Sequence, residues 1–360
     1  MEFPQEKRNL IFISLESLET SYLSKELGGF IDENLMPELT ELAYEGIVFS
    51  HTDSKFGGPI HAPGTTWSVA SLVNMTTGLP MKTPTEPNHY GSADNFLPGA
   101  WALGDILQEQ GYEQTFMLGS DANFGALNFF FESHGNYKIM DHRYAKANGL
   151  IPEDYKVWWG YEDDKLYEFA KDELTRLSET GKPFHFLLET ADTHRPGGFL
   201  SEKAPTPYTD HYANTIAYST SETVKFVRWV QQQPFYENTT IVMIGDHLSM
   251  DTDFFINYNF TDDYQRTQFN LILNPAPNVK DIPQSRMVNR LYSNFDMYPT
   301  ILASIGVDIK GDMLGIGTDL FSGRKTLFEK YGIEEANKEL EKKSDLYNTQ
   351  ILTVSEKSDK

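Results

Sequence analysis

Four short apolar runs that end alike constrain this chain more than any other feature. "NLIFISLE" (9–16), "YEQTFMLGSD" (112–121), "PFHFLLETADTH" (183–194) and "TTIVMIGDH" (239–247) are each apolar over a strand length, then close on carboxylates, hydroxyls or histidine. Continuous apolar runs of that length, rather than alternating ones, belong to strands buried on both faces, as in a parallel sheet. In such sheets ligands bind beyond the carboxyl ends of the strands, so the four polar clusters are expected to meet along one edge.

The stretches between these runs read as helices: "MPELTELAYEG" (36–46), "GAWALGDILQEQG" (99–111), "EDDKLYEFAKDELTRLSETG" (162–181) and "DHYANTIAYSTSETVKFVRWVQQQ" (210–233). Several open near a proline or an acidic residue and stop at a glycine, as helix ends require. A further strand is expected in "RTQFNLILNPAP" (266–277) and a helix in "SNFDMYPTILASIG" (293–306). The fold class is therefore α/β, a large, mostly parallel sheet with helices on both faces. One domain over 1–323 is expected, with a small C-terminal helical region over 324–360, packed on it or extending from it. The lysine- and glutamate-rich tail reads as a solvated helix, and its last dozen residues are expected to fray.

With 52 acidic and 30 basic residues the formal net charge is −22, which repels polyanions and argues against nucleic acid as a partner. Any phosphate-bearing substrate then needs a local cation. No cysteine is present, which excludes thiolate metal sites and cysteine nucleophiles. No run approaches the roughly 18 apolar residues of a membrane span, and "MEFPQEKRNL" is not a secretory leader. The chain is read either as cytosolic or as a soluble portion of something longer.

At the expected sheet edge, Asp246 and His247 offer a carboxylate and an imidazole to a metal such as zinc or manganese, or else form a turn aspartate beside a surface histidine. Glu16 ends an apolar run, where an unpartnered carboxylate is costly, unless it simply reaches water. Together the three would leave an open metal position for a nucleophile or substrate. The stretch "GPIHAPGTTWSVASLV" (58–73) supplies hydroxyls, and Val69, Leu72, Val73 and Thr76 fall on one helical face. The helix is expected to start at about Thr65, its free N–H groups favouring phosphate. Serine and threonine are also ordinary caps, and the residues alone do not separate Thr65 from Thr66 or Ser68.

In this order, "NLIFISLES", "GTTWS", "SHGNYKIMDHR", "TADTH" and "IGDH" resemble the phosphoglycerol transferases of the alkaline phosphatase and sulfatase superfamily, from about Arg8 to about Gly323. Similar relatives include the periplasmic glucan enzymes, lipoteichoic acid synthases and the streptococcal rhamnose-polysaccharide enzymes. The resemblance implies a sulfatase-like domain and a two-step transfer. A metal-bound threonine takes glycerol phosphate from phosphatidylglycerol, then passes it to a cell-envelope glycan or a polyglycerol phosphate chain. It implies metal ligation by Glu16, Thr65, Asp246 and His247, with Mn2+ first and Zn2+ second. Within T-x-x-[ST] it selects Thr65 as nucleophile, ahead of Thr66 and Ser68. His134, Arg143 and His194 carry over as phosphate or headgroup contacts. Where teichoic acid synthases have an aromatic residue two before the arginine, this chain has Asp141; Trp67, Trp158 and Trp159 are possible replacements or core residues. The family also implies a membrane-anchored protein with this domain outside the bacterial cytoplasm.

Alternatives within the superfamily are phosphoethanolamine transfer, phosphodiester hydrolysis and, outside catalysis, glycan binding. Sulfatases require C/S-x-P-x-R, which "SVASL" does not satisfy. Because a ligating histidine must be neutral, activity is expected to fall below about pH 6, near the unperturbed histidine value.

Overall fold

A computed structural model describes residues 1–82, 96–261 and 263–353. Six strands form the main sheet: β1 (Asn9–Leu15), β2 (Glu113–Leu118), β3 (Lys138–Met140), β4 (Phe184–Glu189), β5 (Thr239–Gly245) and β6 (Asn270–Leu273). Their spatial order is β3-β2-β4-β1-β5-β6. All neighbours pair in parallel except β5 and β6, which are antiparallel. The expected strand in 266–277 is thus the one that reverses, at an edge of the sheet.

Side chains alternate between two apolar layers, as the period of two demands. Leu10, Phe12, Phe116, Leu187 and Val242 face one layer, covered by helices Ser68–Thr77, Leu103–Glu109, Leu127–Ser133 and Asn294–Ser304. Ile11, Ile13, Phe186, Leu188 and Met243 face the other, under helices Pro37–Ala43, Asp163–Ser178 and His211–Gln231. With both faces covered, apolar residues occupy successive positions of the strands and not alternate ones, which is why the runs in the sequence are nearly continuous.

The tail departs from the reading of a solvated helix. It forms two short helices, Leu327–Tyr331 and Ile333–Glu341, then a wider turn over Tyr347–Ile351. Phe328 and Ala336 are buried with Ile60, Ala62 and Phe295, and the Tyr347 ring is buried in the large apolar layer. Apolar residues scattered among lysine and glutamate therefore mark a packed stripe. Of the dozen residues expected to fray, 354–360 lie outside the described residues.

Candidate metal centre and cleft

Parallel register sets the first contact of the site. Leu15 pairs with Gly245, so the next residues of β1 and β5, Glu16 and Asp246, leave the sheet side by side. Gly245 is required there, because a Cβ would lie 1.8 Å from the carbonyl oxygen of Leu18. The turn after β1 is strained at Ser17, a non-glycine residue with φ of 52°. The strain is held by the site itself: Ser17 N–H donates to Asp246 Oδ1 at 2.7 Å and Ser17 Oγ donates to Glu16 Oε1 at 2.5 Å.

Glu16, Asp246 and His247 are all buried, and one ligand atom from each lies within 4.8 Å of the others. Asp246 Oδ1 accepts two backbone N–H groups, from Ser17 and from His247 at 2.7 Å. Its Oδ2 is buried and accepts no hydrogen bond. His247 Nδ1 lies 2.9 Å from the carbonyl oxygen of Leu248, which can only accept, so the ring proton belongs on Nδ1. Nε2 then turns its lone pair toward Asp246 Oδ2 at 3.4 Å and Glu16 Oε1 at 3.5 Å. Nε2 and Asp246 Oδ2, lone pairs facing one another with no donor between them, repel unless a cation, a proton or a metal ion, lies among them. The donor set, two carboxylates and one imidazole, fits zinc or manganese.

The electrostatics agree with that geometry. Burial raises the Asp246 carboxyl above its ordinary value, and the neighbouring Glu16 charge adds to the effect. Burial opposes the charged form of His247, but Asp246 and Glu16 outweigh it and hold the imidazole above its ordinary value. In the absence of a metal, protons are the cations of this site.

The helix that follows the glycine-rich loop starts later than expected. It runs Ser68–Thr77 after an extended Trp67, so Ser68 and not Thr65 opens its first turn. Ser68 Oγ donates to Glu16 Oε2 at 3.1 Å and lies 3.4 Å from His247 Nε2. Thr65 is 1% exposed, and its hydroxyl donates to the Ala62 carbonyl at 2.8 Å in the preceding turn. Thr66 is exposed. Trp67 packs edge-on against Phe124, with ring centroids 6.3 Å apart.

A cleft of about 280 Å³ opens beside the centre, lined by Glu16, Ser68, Ser120, Asp121, Lys156, Glu189 and His194 together with the apolar Val69, Phe124, Leu127 and Trp159. The structure brings His194 here, its ring edge-on to Trp159 at 5.0 Å. Arg143 reaches the rim, its Nε 3.2 Å from Asp121 and 3.1 Å from Asp141. Asp141 does not form a cleft wall; it caps the helix His142–Ala147 by accepting from Tyr144 N–H. Trp159 is the indole in the cleft, while Trp158 donates to the Ala191 carbonyl behind it.

His134 corrects an expectation. Its two ring nitrogens lie 2.8 Å from Asp105 Oδ2 and 2.8 Å from the Phe96 carbonyl oxygen, which ties a buried loop to the start of the helix Leu103–Glu109. With both nitrogens committed, it has none to offer a phosphate. Lys156 and Glu189 are among the cleft residues that escaped sequence reasoning. For Glu189 the signal was available, since it closes the run "FHFLLE" as Glu16 closes "NLIFISLE". Burial raises the Glu189 carboxyl well above its ordinary value, aided by Asp246 and Glu16.

The family model described as Sulfatase matches residues 8–307. Phosphoglycerol transferase I of Salmonella typhi is 30% identical over 330 residues, 89% of this chain but 40% of that protein, so the chain spans well under half of its curated relatives. Among solved structures, an alkaline phosphatase superfamily protein from Vibrio parahaemolyticus superposes with a TM-score of 0.68 at 27% identity, over 88% of this chain and 70% of that one. The lipoteichoic acid synthase LtaP from Listeria monocytogenes superposes with a TM-score of 0.66 at 18% identity, over 87% and 75%. The parallel sheet with its edge cluster of carboxylates and histidine is an alkaline phosphatase-like fold, and the chain belongs to the sulfatase family.

Proposed function

We propose that this chain is the catalytic domain of a metal-dependent phosphoglycerol transferase. It would move glycerol phosphate from phosphatidylglycerol, by way of a phosphothreonine diester at Thr65, to a cell-envelope glycan or polyglycerol phosphate. The observation that carries the reading is the convergence of Glu16, Asp246 and His247, with the buried Asp246 Oδ2 left without a donor, against the turn that bears the hydroxyls. Similarity to phosphoglycerol transferase I supports the headgroup, and the missing C/S-x-P-x-R pattern speaks against sulfate ester cleavage.

Glu16, Asp246 and His247 would hold the ion, manganese in preference to zinc, which supplies positive charge that makes a threonine hydroxyl nucleophilic at neutral pH. Thr65 occupies the first position of T-x-x-S, and its partner Ser68 already touches Glu16, so the turn is docked on the site. For attack, the Thr65 hydroxyl must leave the Ala62 carbonyl and rotate toward the ligand set. His194 lines the cleft as a headgroup contact, and Arg143 at the rim offers a planar cation to phosphate. The full-length protein would be anchored so that this domain works outside the bacterial cytoplasm. Release of diacylglycerol from phosphatidylglycerol micelles with manganese tests the reading: the wild type should release it and Thr65→Ala should not. Equal release by both would remove Thr65 from the reaction, and release only from phosphatidylethanolamine would reassign the headgroup.

A further inference from the structure

Glu189 is the last residue of β4, partnered in register with Ser14 of β1 and Leu118 of β2. Since β4 and β5 flank β1, three carboxylates leave successive strands along one edge: Glu189, Glu16 and Asp246. Glu16 and Asp246 belong to the metal group, whereas Glu189 does not. Glu189 is 6% exposed, its Oε2 is buried without a hydrogen-bond partner, and it lines the cleft with Glu16 and Ser68. An unpartnered buried carboxyl oxygen costs free energy, and here it sits in the wall of a cleft next to the reacting centre. Apolar Phe124, Leu127 and Trp159 share that wall, so the carboxyl meets whatever alcohol enters the cleft in a water-poor setting.

We propose that Glu189 is the proton shuttle of both half-reactions, giving a proton to the departing alcohol and taking one from the incoming alcohol. The proposal rests on the transferase reading above. In the first half-reaction the Thr65 oxygen bonds to phosphorus and the bond from phosphorus to the diacylglycerol oxygen breaks. That oxygen takes the Glu189 proton, and the threonine proton passes to solvent. In the second, the acceptor oxygen bonds to phosphorus, its proton returns to the Glu189 carboxylate, and the bond from phosphorus to Thr65 breaks. The threonine oxygen recovers a proton from solvent. One group can serve both steps because departing and incoming alcohols each occupy the position in line with the Thr65 oxygen.

The test compares two glycerol phosphate donors by rapid quench and intact mass, with manganese present: phosphatidylglycerol, whose alkoxide needs a proton to leave, and p-nitrophenyl glycerol phosphate, whose phenolate does not. Glu189→Gln should form the adduct on the order of 10²- to 10⁴-fold more slowly from the lipid, and within about tenfold of wild type from the nitrophenyl donor. The nitrophenyl rate is also the control for folding and metal binding. Glu189→Asp should recover part of the lipid rate. Equal slowing with both donors would make Glu189 a structural residue and overturn the proposal, as would no slowing with either. If the wild type forms no adduct from either donor, the transferase reading itself fails and the shuttle goes with it.

Discussion

Metal affinity should depend steeply on pH, and the site fixes both sign and size. Asp246 is shifted toward its protonated form by burial first and then by the Glu16 charge, against a smaller opposing effect of His247. Against burial, His247 is held toward its own protonated form by Asp246 and Glu16. A bound ion has to displace those protons. Each displaced proton changes the affinity about tenfold per pH unit, equivalent to about 1.4 kcal/mol, so two protons give between ten- and a hundredfold per unit from about pH 5 to 7. Because the His247 value is raised, weakening on acidification should begin above the value of about 6 set by an unperturbed histidine. The metal-free protein should behave oppositely in stability. Its folded state holds protons that the unfolded chain releases, so stability is lost as pH rises, for Asp246 from about pH 4 and for His247 from about pH 6.5 upward. Titration calorimetry with manganese in buffers of different ionisation enthalpy counts the protons directly. Between about one and two should be released per ion near pH 6, and Asp246→Asn should reduce the pH slope as well as the affinity. An affinity that stays flat from pH 5 to 7 would refute ligation by this group.

Three further outcomes separate functional from structural residues. Ser68→Ala should leave adduct formation on Thr65 intact but slow it, since it removes a hydroxyl from Glu16 and His247 while sparing the nucleophile; adduct mapping checks this. His134→Ala should lower stability by about 1–3 kcal/mol in chemical denaturation, with manganese affinity unchanged, because it removes the hydrogen bonds to Asp105 and to the Phe96 carbonyl and neither belongs to the metal group. Gly160→Ala would put a Cβ 1.9 Å from the Gly119 carbonyl oxygen, so backbone must move and stability should drop by about 1–3 kcal/mol, with Trp159 fluorescence altered.

The layered fold was legible because burial on both faces writes itself into continuous apolar runs, and Glu16, Asp246 and His247 were legible because they end two runs whose strands pair in register. The reversal of β6 was not, since a short apolar strand reads the same in either direction. The helix start was misplaced by three residues. Thr65 lies in a turn just after Gly64 with φ of 83°, and the extended Trp67 delays the helix, a backbone choice that hydroxyl spacing does not encode. His134 was misread for a related reason: its partners Asp105 and Phe96 are distant in sequence, so nothing local distinguishes a structural histidine from a phosphate contact. Glu189 has no second ligand beside it in sequence, as Asp246 has in His247, and its place on the same edge follows only from the pairing of β4 with β1.

The central claim is a metal-dependent transfer through threonine. Its most direct test is the intact mass of the protein after incubation with manganese and phosphatidylglycerol, followed by peptide fragmentation. The account expects a single glycerol phosphate adduct on Thr65, dependent on the metal and absent from Thr65→Ala. An adduct on Ser68, or a protein that stays unmodified while diacylglycerol is released, would contradict it.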